Sequence, residues 1–470
     1  MGEEDDQQSP LLKSISSAGA SQQAPPKRTG TQWTAVAHII TGVIGAGVLS
    51  LAWSVAQLGW ILGPVCIICF AGISGVSTFV LCDCYRYPDP EYGTTRNRSF
   101  MEAVKFYLGE KQQRICGVFA QESLFGTGIA YTITATASVR AILRSNCHHQ
   151  GGYNAPCQYG DSFYMLLFGL VEILLSQIPD FRSIEWLSIF AAVMSFSYAL
   201  IGSGLGFLKV IENGTIKGSI SGVPASSNLK KLWLAFEALA DVAFAYPYTL
   251  IVLEIQDTLK SSPPENQTMK AASLKAIVIT TFFYLCCGCF GYAAFGDSTP
   301  GNLLTGFGFY EPHWLVDLAN ACIVLHLVGA YQIFSQPVFA TAERWFAYRF
   351  TDSGFLNNHI SFKIPLFSTF QLNPFRVVFR TMYVVSTTAL AMSFPYFNSV
   401  LGVLGALNFW PLAVYFPVEM YLKQKKIRAW SREWICYRTF SGLCLLVTVV
   451  GFIGSLEELT SARSSDEKLM

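Results

Sequence analysis

The chain is dominated by apolar stretches long enough to cross a membrane, and that limits its folds more than any motif does. A crossing needs about 20 mostly apolar residues. About eleven stretches qualify: 33–57, 60–85, 115–143, 162–178, 184–208, 232–256, 272–296, 313–341, 376–394, 397–421 and 436–456. Charged residues make up 13% of the 470, against about 25% in an average soluble domain, and mean hydropathy is +0.38. Lipid offers no partner to a backbone N–H or C=O, so such runs form helices that satisfy themselves. The expectation is an all-α integral membrane protein of about eleven helices. A net charge of +1, with basic residues in short clusters between apolar runs, excludes a nucleic-acid partner.

Lys and Arg set the orientation. With the amino terminus in the cytosol, the inner segments collect Lys27 and Arg28, then Arg86 to Arg114, then Arg344, Arg349 and Lys363, then Lys423 to Arg432. The outer loops are poorer in them. Residues 1–30 are acidic and Ser/Gln/Pro-rich without an apolar core, which reads as a disordered cytosolic tail rather than a signal peptide. The membrane domain is expected over 31–457, with a short extracellular tail at 458–470. Cys147 and Cys157 flank an outer polar loop and are a disulfide candidate, the alternative being two free thiols. The sequon at Asn213 is outside and open to glycosylation, whereas those at Asn97 and Asn266 fall inside. Phe100 to Leu108 reads as a short amphipathic helix on the inner face.

Two crossings are interrupted. HIITGVIGAGVLSLAW, residues 38–53, carries Gly42, Gly45 and Gly47 in mid-run, each costing about 0.5–1 kcal/mol against alanine in a helix. The sixth run contains Pro247, which lacks an amide donor and clashes with the preceding turn. The first and sixth runs each open a set of five, as in transporters built from two inverted repeats whose broken first helices meet at the membrane midplane. A 5+5 inverted repeat with discontinuous helices 1 and 6, plus an eleventh helix, is therefore expected. Freed amides at Ala46, Gly47 and Val48 would face an anion such as a substrate carboxylate, and carbonyls near Phe244 and Ala245 a cation such as an α-amino group. The competing reading is that the glycines only allow close helix packing and that Pro247 is an ordinary kink.

Ionisable side chains inside runs are costly and point to function. They are His38, Glu122, Glu172, Glu237, Asp241, Asp317 and His326. His38, Asp241 and His326 are the candidates for proton coupling, each weighed against a structural, hydrogen-bonded role. No metal-ligand spacing stands out: Cys82-Asp-Cys84 lacks a second pair and His148-His149 sits in a loop. No catalytic motif of the H-E-x-x-H or G-x-S-x-G type lies in the runs, so an enzyme is not expected. No cofactor is implied beyond a coupling proton.

The strings GVIGAGVLSLAWSVAQLGW and ADVAFAYPYTLIVLEIQDTLK, with the cysteines flanking an outer loop, closely resemble the plant amino acid permeases. These belong to the amino acid/auxin permease family of the amino acid-polyamine-organocation superfamily. The resemblance covers Gly30 to about Gly454. It implies a LeuT-like fold of ten core helices plus an eleventh, and proton-coupled, sodium-independent uptake of neutral and often acidic amino acids across the plasma membrane. The substrate site it implies maps to Ile44, Gly45, Ala46, Gly47 and Val48, and to Phe244, Ala245 and Tyr246. Relatives more often show Ser or Ala where this chain has Pro247. An auxin-like carrier of the same broader family, or a sensor that binds amino acids without moving them, are the rival readings. Amino acid and membrane lipid are the expected partners, and the oligomeric state is left open.

Overall fold

The computed structural model describes residues 28–152, 157, 159–178, 185–308, 311–350, 354–357, 360–362 and 370–467. The expected disordered tail lies, up to residue 27, outside the described residues. The rest is almost entirely helical. The order is α1 Gln32–Val43, α2 Gly47–Asp83, α3 Phe100–Leu108, α4 Glu110–Gly151, α5 Asp161–Ser176, α6 Glu185–Asn213, α7 Asn228–Ala245, α8 Thr249–Thr258 and α9 Glu265–Phe295. Then come α10 His313–Arg349, α11 Gly354–Asn357, α12 Pro374–Ser393, α13 Phe397–Asn408, a π-helical segment Phe409–Tyr415, α14 Phe416–Gln424 and α15 Arg432–Glu467. Two small antiparallel hairpins, Arg86–Tyr87 with Thr95–Arg96 and Ile360–Phe362 with Phe370–Leu372, are the described strands.

Among the described residues, seven helices are long and apolar enough to cross a membrane. The 12 residues of α1 and the 16 of α5 are short of a crossing on their own. Lipid-compatible surface is evident in Ile61, Leu62, Ile68, Leu170, Leu174, Phe282, Met382 and Leu446, all large, apolar and exposed. In water such a belt would aggregate. The interior holds the polar groups instead, with Asp241, Glu172, Gln332 and Asn320 fully buried. The chain is a multi-pass membrane protein.

α3 takes the predicted span and turns Phe100, Ala103, Val104 and Tyr107 inward, with Ser99 capping its first turn. The last helix continues to Glu467 through residues expected as a tail, since no Gly or Pro after Gly454 interrupts it.

The apolar run 33–85 turns a corner at Gly59, where φ is +84° and ψ is 177°. The corner strands helix-end carbonyls, and a distant loop meets them. The Val223 amide donates to the Ala56 carbonyl at 2.9 Å, and Lys231 Nζ reaches the Gln57 and Val223 carbonyls at 2.7 and 2.6 Å. A Cβ on Gly59 would lie 2.1 Å from the Ile220 carbonyl oxygen. Gly59→Ala should therefore lower the melting temperature of the detergent-solubilised protein. The positive-φ extended backbone, which only glycine adopts readily, alone costs another residue about 1–3 kcal/mol, and an unchanged melting curve would disprove this role of the corner.

Candidate functional site

Both expected interruptions are present. α1 ends at Val43 and α2 begins at Gly47, with Ile44 to Ala46 outside helix. α7 ends at Ala245 and α8 begins at Thr249, with Tyr246 to Tyr248 between them. The two breaks lie against each other: a Cβ on Gly47 would stand 3.0 Å from Ala245 Cα, so any side chain there would crowd this approach.

A helix end leaves carbonyls without intrahelical donors, and buried hydroxyls supply them here. Tyr284 Oη lies 2.8 Å from the Val43 carbonyl and 2.8 Å from the Ala245 carbonyl, joining the two breaks through one proton. Tyr198 Oη reaches the Ile44 and Gly45 carbonyls at 3.2 and 3.1 Å. Ser195 Oγ donates to the Ile44 carbonyl at 3.0 Å. Thr249 Oγ1, at the start of α8, donates to the Leu412 carbonyl of the π-helical segment at 3.0 Å. At the opposite polarity, the first amides of α2 have no carbonyl one turn earlier to receive them.

A cavity of about 110 Å³ opens beside both breaks. Gly45, Ala46, Gly47, Phe244 and Ala245 line it, as do Tyr131, Phe334, Leu404 and Asn408. The remaining expected binding residues do not: Ile44 and Val48 are fully buried, and buried Tyr246 pairs its hydroxyl with Thr281 at 3.2 Å. Asn408 Oδ1 is buried without a hydrogen-bond partner among the described residues. The Ala245 carbonyl, expected to await a cation, is instead taken by Tyr284. A larger cavity, about 680 Å³, lies elsewhere, among Arg140, Arg144, Lys209, Glu212 and Glu311. It is wider but touches neither break, so the smaller one is the candidate site.

The proton-coupling candidates scatter. His326 is buried, with Nδ1 3.0 Å from the Ala191 carbonyl and 3.0 Å from Ser195 Oγ, which in turn donates to Ile44. His38 is exposed on α1 and does not line the cavity. Asp241 is fully buried, one oxygen accepting from Asn398 Nδ2 at 2.8 Å and the other without a hydrogen-bond partner among the described residues. Glu237 accepts from Ser399 at 2.7 Å, and Glu172 from Gln332 at 2.6 Å, each an interhelical bond. Asp317 accepts from Asn146 at 3.0 Å. The sulfurs of Cys147 and Cys157 lie 2.01 Å apart. Asn213 Nδ2 donates to the Ala294 carbonyl at 2.9 Å.

Ser195, Tyr198, Tyr284 and Asn408 are absent from the expected site. Their signal in the sequence was a polar side chain within an apolar run, and nothing local tells which distant carbonyl it serves.

Comparison with known proteins supplies the family. Residues 28–460 match the family model described as transmembrane amino acid transporter protein. The chain is 60% identical over 440 residues to the probable amino acid permease 7 of Arabidopsis thaliana, covering 93% of this chain and 94% of that one. It is 53% identical to Arabidopsis amino acid permease 2, covering 92% and 88%. The chain belongs to the plant amino acid permeases of the transmembrane amino acid transporter family. This permease is a transporter and not an enzyme. Its fold is similar to that of MhsT, solved in complex with L-phenylalanine, with a TM-score of 0.52 at 12% identity over 90% of this chain and 98% of that one. The permease therefore has an all-α, LeuT-like fold.

If Tyr284 ties the breaks, Tyr284→Phe leaves two buried carbonyls short of a donor, a loss of about 1–3 kcal/mol. Amide exchange in 43–49 and 245–251 should then accelerate by about tenfold or more. Faster exchange confined to α9 would show that the hydroxyl does not hold the breaks together.

Proposed function

We propose that this permease is a proton-coupled symporter that imports neutral amino acids, and acidic ones alongside them, across the plasma membrane by alternating access. The observation that carries the reading is the small cavity at the junction of two broken helices, with helix-start amides on its wall. In this reading the substrate carboxylate sits on the amides of Ala46, Gly47 and Val48, where the helix dipole favours an anion, the Gly45 amide already donating to the Val43 carbonyl at 3.0 Å. The α-amino group takes Asn408 Oδ1, an acceptor otherwise unused. Tyr131, Phe244 and Phe334 bound the space for the substrate side chain.

The proposed topology has eleven crossings as two inverted sets of five plus one, amino terminus cytosolic and carboxyl terminus extracellular. α1 with the first half of α2, and α7 with α8, are the two discontinuous crossings. This orientation places Asn213 and the Cys147–Cys157 pair outside. The coupling proton is assigned to His326, linked through Ser195 to Ile44, with Asp241 as a second carrier. His38 is left off this path because it is exposed and does not line the cavity. No cofactor takes part.

The test is substrate-evoked current in oocytes with alanine, glutamate, lysine and indole-acetic acid at about pH 5.5 and about pH 7.5, sodium replaced by choline. Saturating inward current that grows at low outer pH and survives without sodium is expected for alanine and glutamate. A response to indole-acetic acid alone would favour an auxin carrier. Sodium dependence would reject proton coupling. Asn408→Ala should raise the apparent KM by about tenfold or more, the loss of a hydrogen bond to a charged group, and an unchanged KM removes it from the site. His326→Ala should abolish the pH dependence of accumulation at unchanged surface expression. A retained pH dependence removes His326 from the path.

A further inference from the structure

Far from the breaks, three metal-ligating side chains meet that the sequence keeps apart. His149 belongs to the last turn of α4, while Glu311 and His313 flank Pro312 at the start of α10. One ligand atom from each lies within 4.8 Å of the other two. The imidazoles of His149 and His313 stack with centroids 3.9 Å apart at 27°. Glu311 Oε2 is 3.4 Å from His313 Nδ1 and accepts from the His313 amide at 3.2 Å. His149 and Glu311 are exposed and His313 is half-buried, so an ion could enter from solvent.

We propose that His149, Glu311 and His313 form a binding site for a divalent transition metal, with Zn²⁺ as the ion that suits it. Two imidazole nitrogens and one carboxylate oxygen are a set that favours Zn²⁺ over the all-oxygen seats of Mg²⁺ and Ca²⁺. Tetrahedral zinc with bonds of about 2.0–2.2 Å holds its ligand atoms about 3.3–3.5 Å apart. The ligand atoms lie within 4.8 Å of one another, so metal binding draws them together by about 1.5 Å or less. Three protein ligands leave a fourth position for water. The backing is firm, because α4 and α10 pack along each other and His149 lies two residues from Cys147, whose sulfur meets that of Cys157.

The placement gives the metal a consequence. Glu311 also lines the larger cavity, with Arg140, Arg144 and Lys209 among its neighbours there. An ion at the site joins the two helix ends at the cavity's mouth and takes up its carboxylate. In the proposed orientation that mouth is extracellular, so outer Zn²⁺ slows transport; this consequence, unlike the binding itself, rests on the proposed function.

The experiment has two arms. Calorimetric titration of ZnCl₂ into the purified, tag-free full chain at about pH 7.5, where imidazole is mostly neutral, should show one site per chain that His149→Ala and His313→Ala each weaken by about tenfold or more. Mg²⁺ should not compete. Equal Zn²⁺ affinity and stoichiometry in wild type and both variants overturns the site. In oocytes, outer Zn²⁺ should reduce the alanine-evoked current of the wild type and not that of the double variant. Variant-sensitive binding in a chain that carries no current would sink the transport reading while leaving the metal site standing. Normal current with no variant-sensitive binding would do the reverse.

Discussion

A backbone carbonyl in lipid has to find a donor within the protein, and the centre of this structure follows from that requirement. Breaking two helices opens a place for a ligand, yet it also strands carbonyls at Val43, Ile44, Gly45 and Ala245. The hydroxyls of Tyr284, Ser195 and Tyr198 take them. A tyrosine has one proton to give, so the Val43 and Ala245 carbonyls share it. The two breaks are thereby held to one another. Carbonyls satisfied by neutral hydroxyls also have less need of a cation among them, which is compatible with the proposed proton coupling.

Charge pairing is arranged differently from these central bonds. At the end of the bundle bearing the amino terminus, Arg28 contacts Asp257 at 2.9 Å and Glu265 at 2.6 Å, and Arg86 meets Glu265 at 2.7 Å. Lys270 reaches Asp83 at 2.6 Å, and Gly30 bridges to Leu259 through backbone bonds. These contacts join the approach to α1 with the end of α2, the end of α8 and the start of α9. A second group joins α5, α10 and α12: Glu343 holds Arg380 and Arg376, Arg380 also donates to the Ser176 carbonyl, and Gln332 donates to Glu172. Buried ion pairs are strongly disfavoured from breaking because each leaves an unpaired charge, so they suit contacts that persist. At the two discontinuous crossings the contacts are hydroxyl and amide bonds instead, Ser195 of α6 to Ile44 and Asn398 of α13 to Asp241 among them. Such bonds exchange at lower cost.

The sequence made the breaks legible because their causes are local. Glycine in a helix interior and a proline without an amide act at their own positions, and Gly42 to Gly47 and Pro247 stand where α1 and α7 end. The same holds for α3, whose apolar period and Ser99 cap lie within a few residues. What stayed hidden depends on partners far along the chain. Tyr284 serves a carbonyl 241 residues away and Ser195 meets His326 across 131. His149, in an apparently ordinary loop pair, finds its companions only where the helix ends converge. His38 shows the converse. Its place within an apolar run is readable, but which side of α1 it occupies depends on how that helix packs, and it is exposed.

The geometry around His326 narrows how a proton could act in the proposed cycle. Nδ1 lies 3.0 Å from the Ala191 carbonyl, which can only accept, so this nitrogen carries a hydrogen. Ser195 then has its own proton free for Ile44, as its 3.0 Å bond there requires. An arriving proton has Nε2 as its seat, and binding there breaks neither contact. Its effect is therefore electrostatic. A positive ring strengthens donation toward Ala191 and Ser195, polarises the serine hydroxyl, and so draws harder on the Ile44 carbonyl at the edge of the first break. In the proposed cycle the proton tightens the bond from α6 to the first break without making a new one, and its departure loosens the same bond.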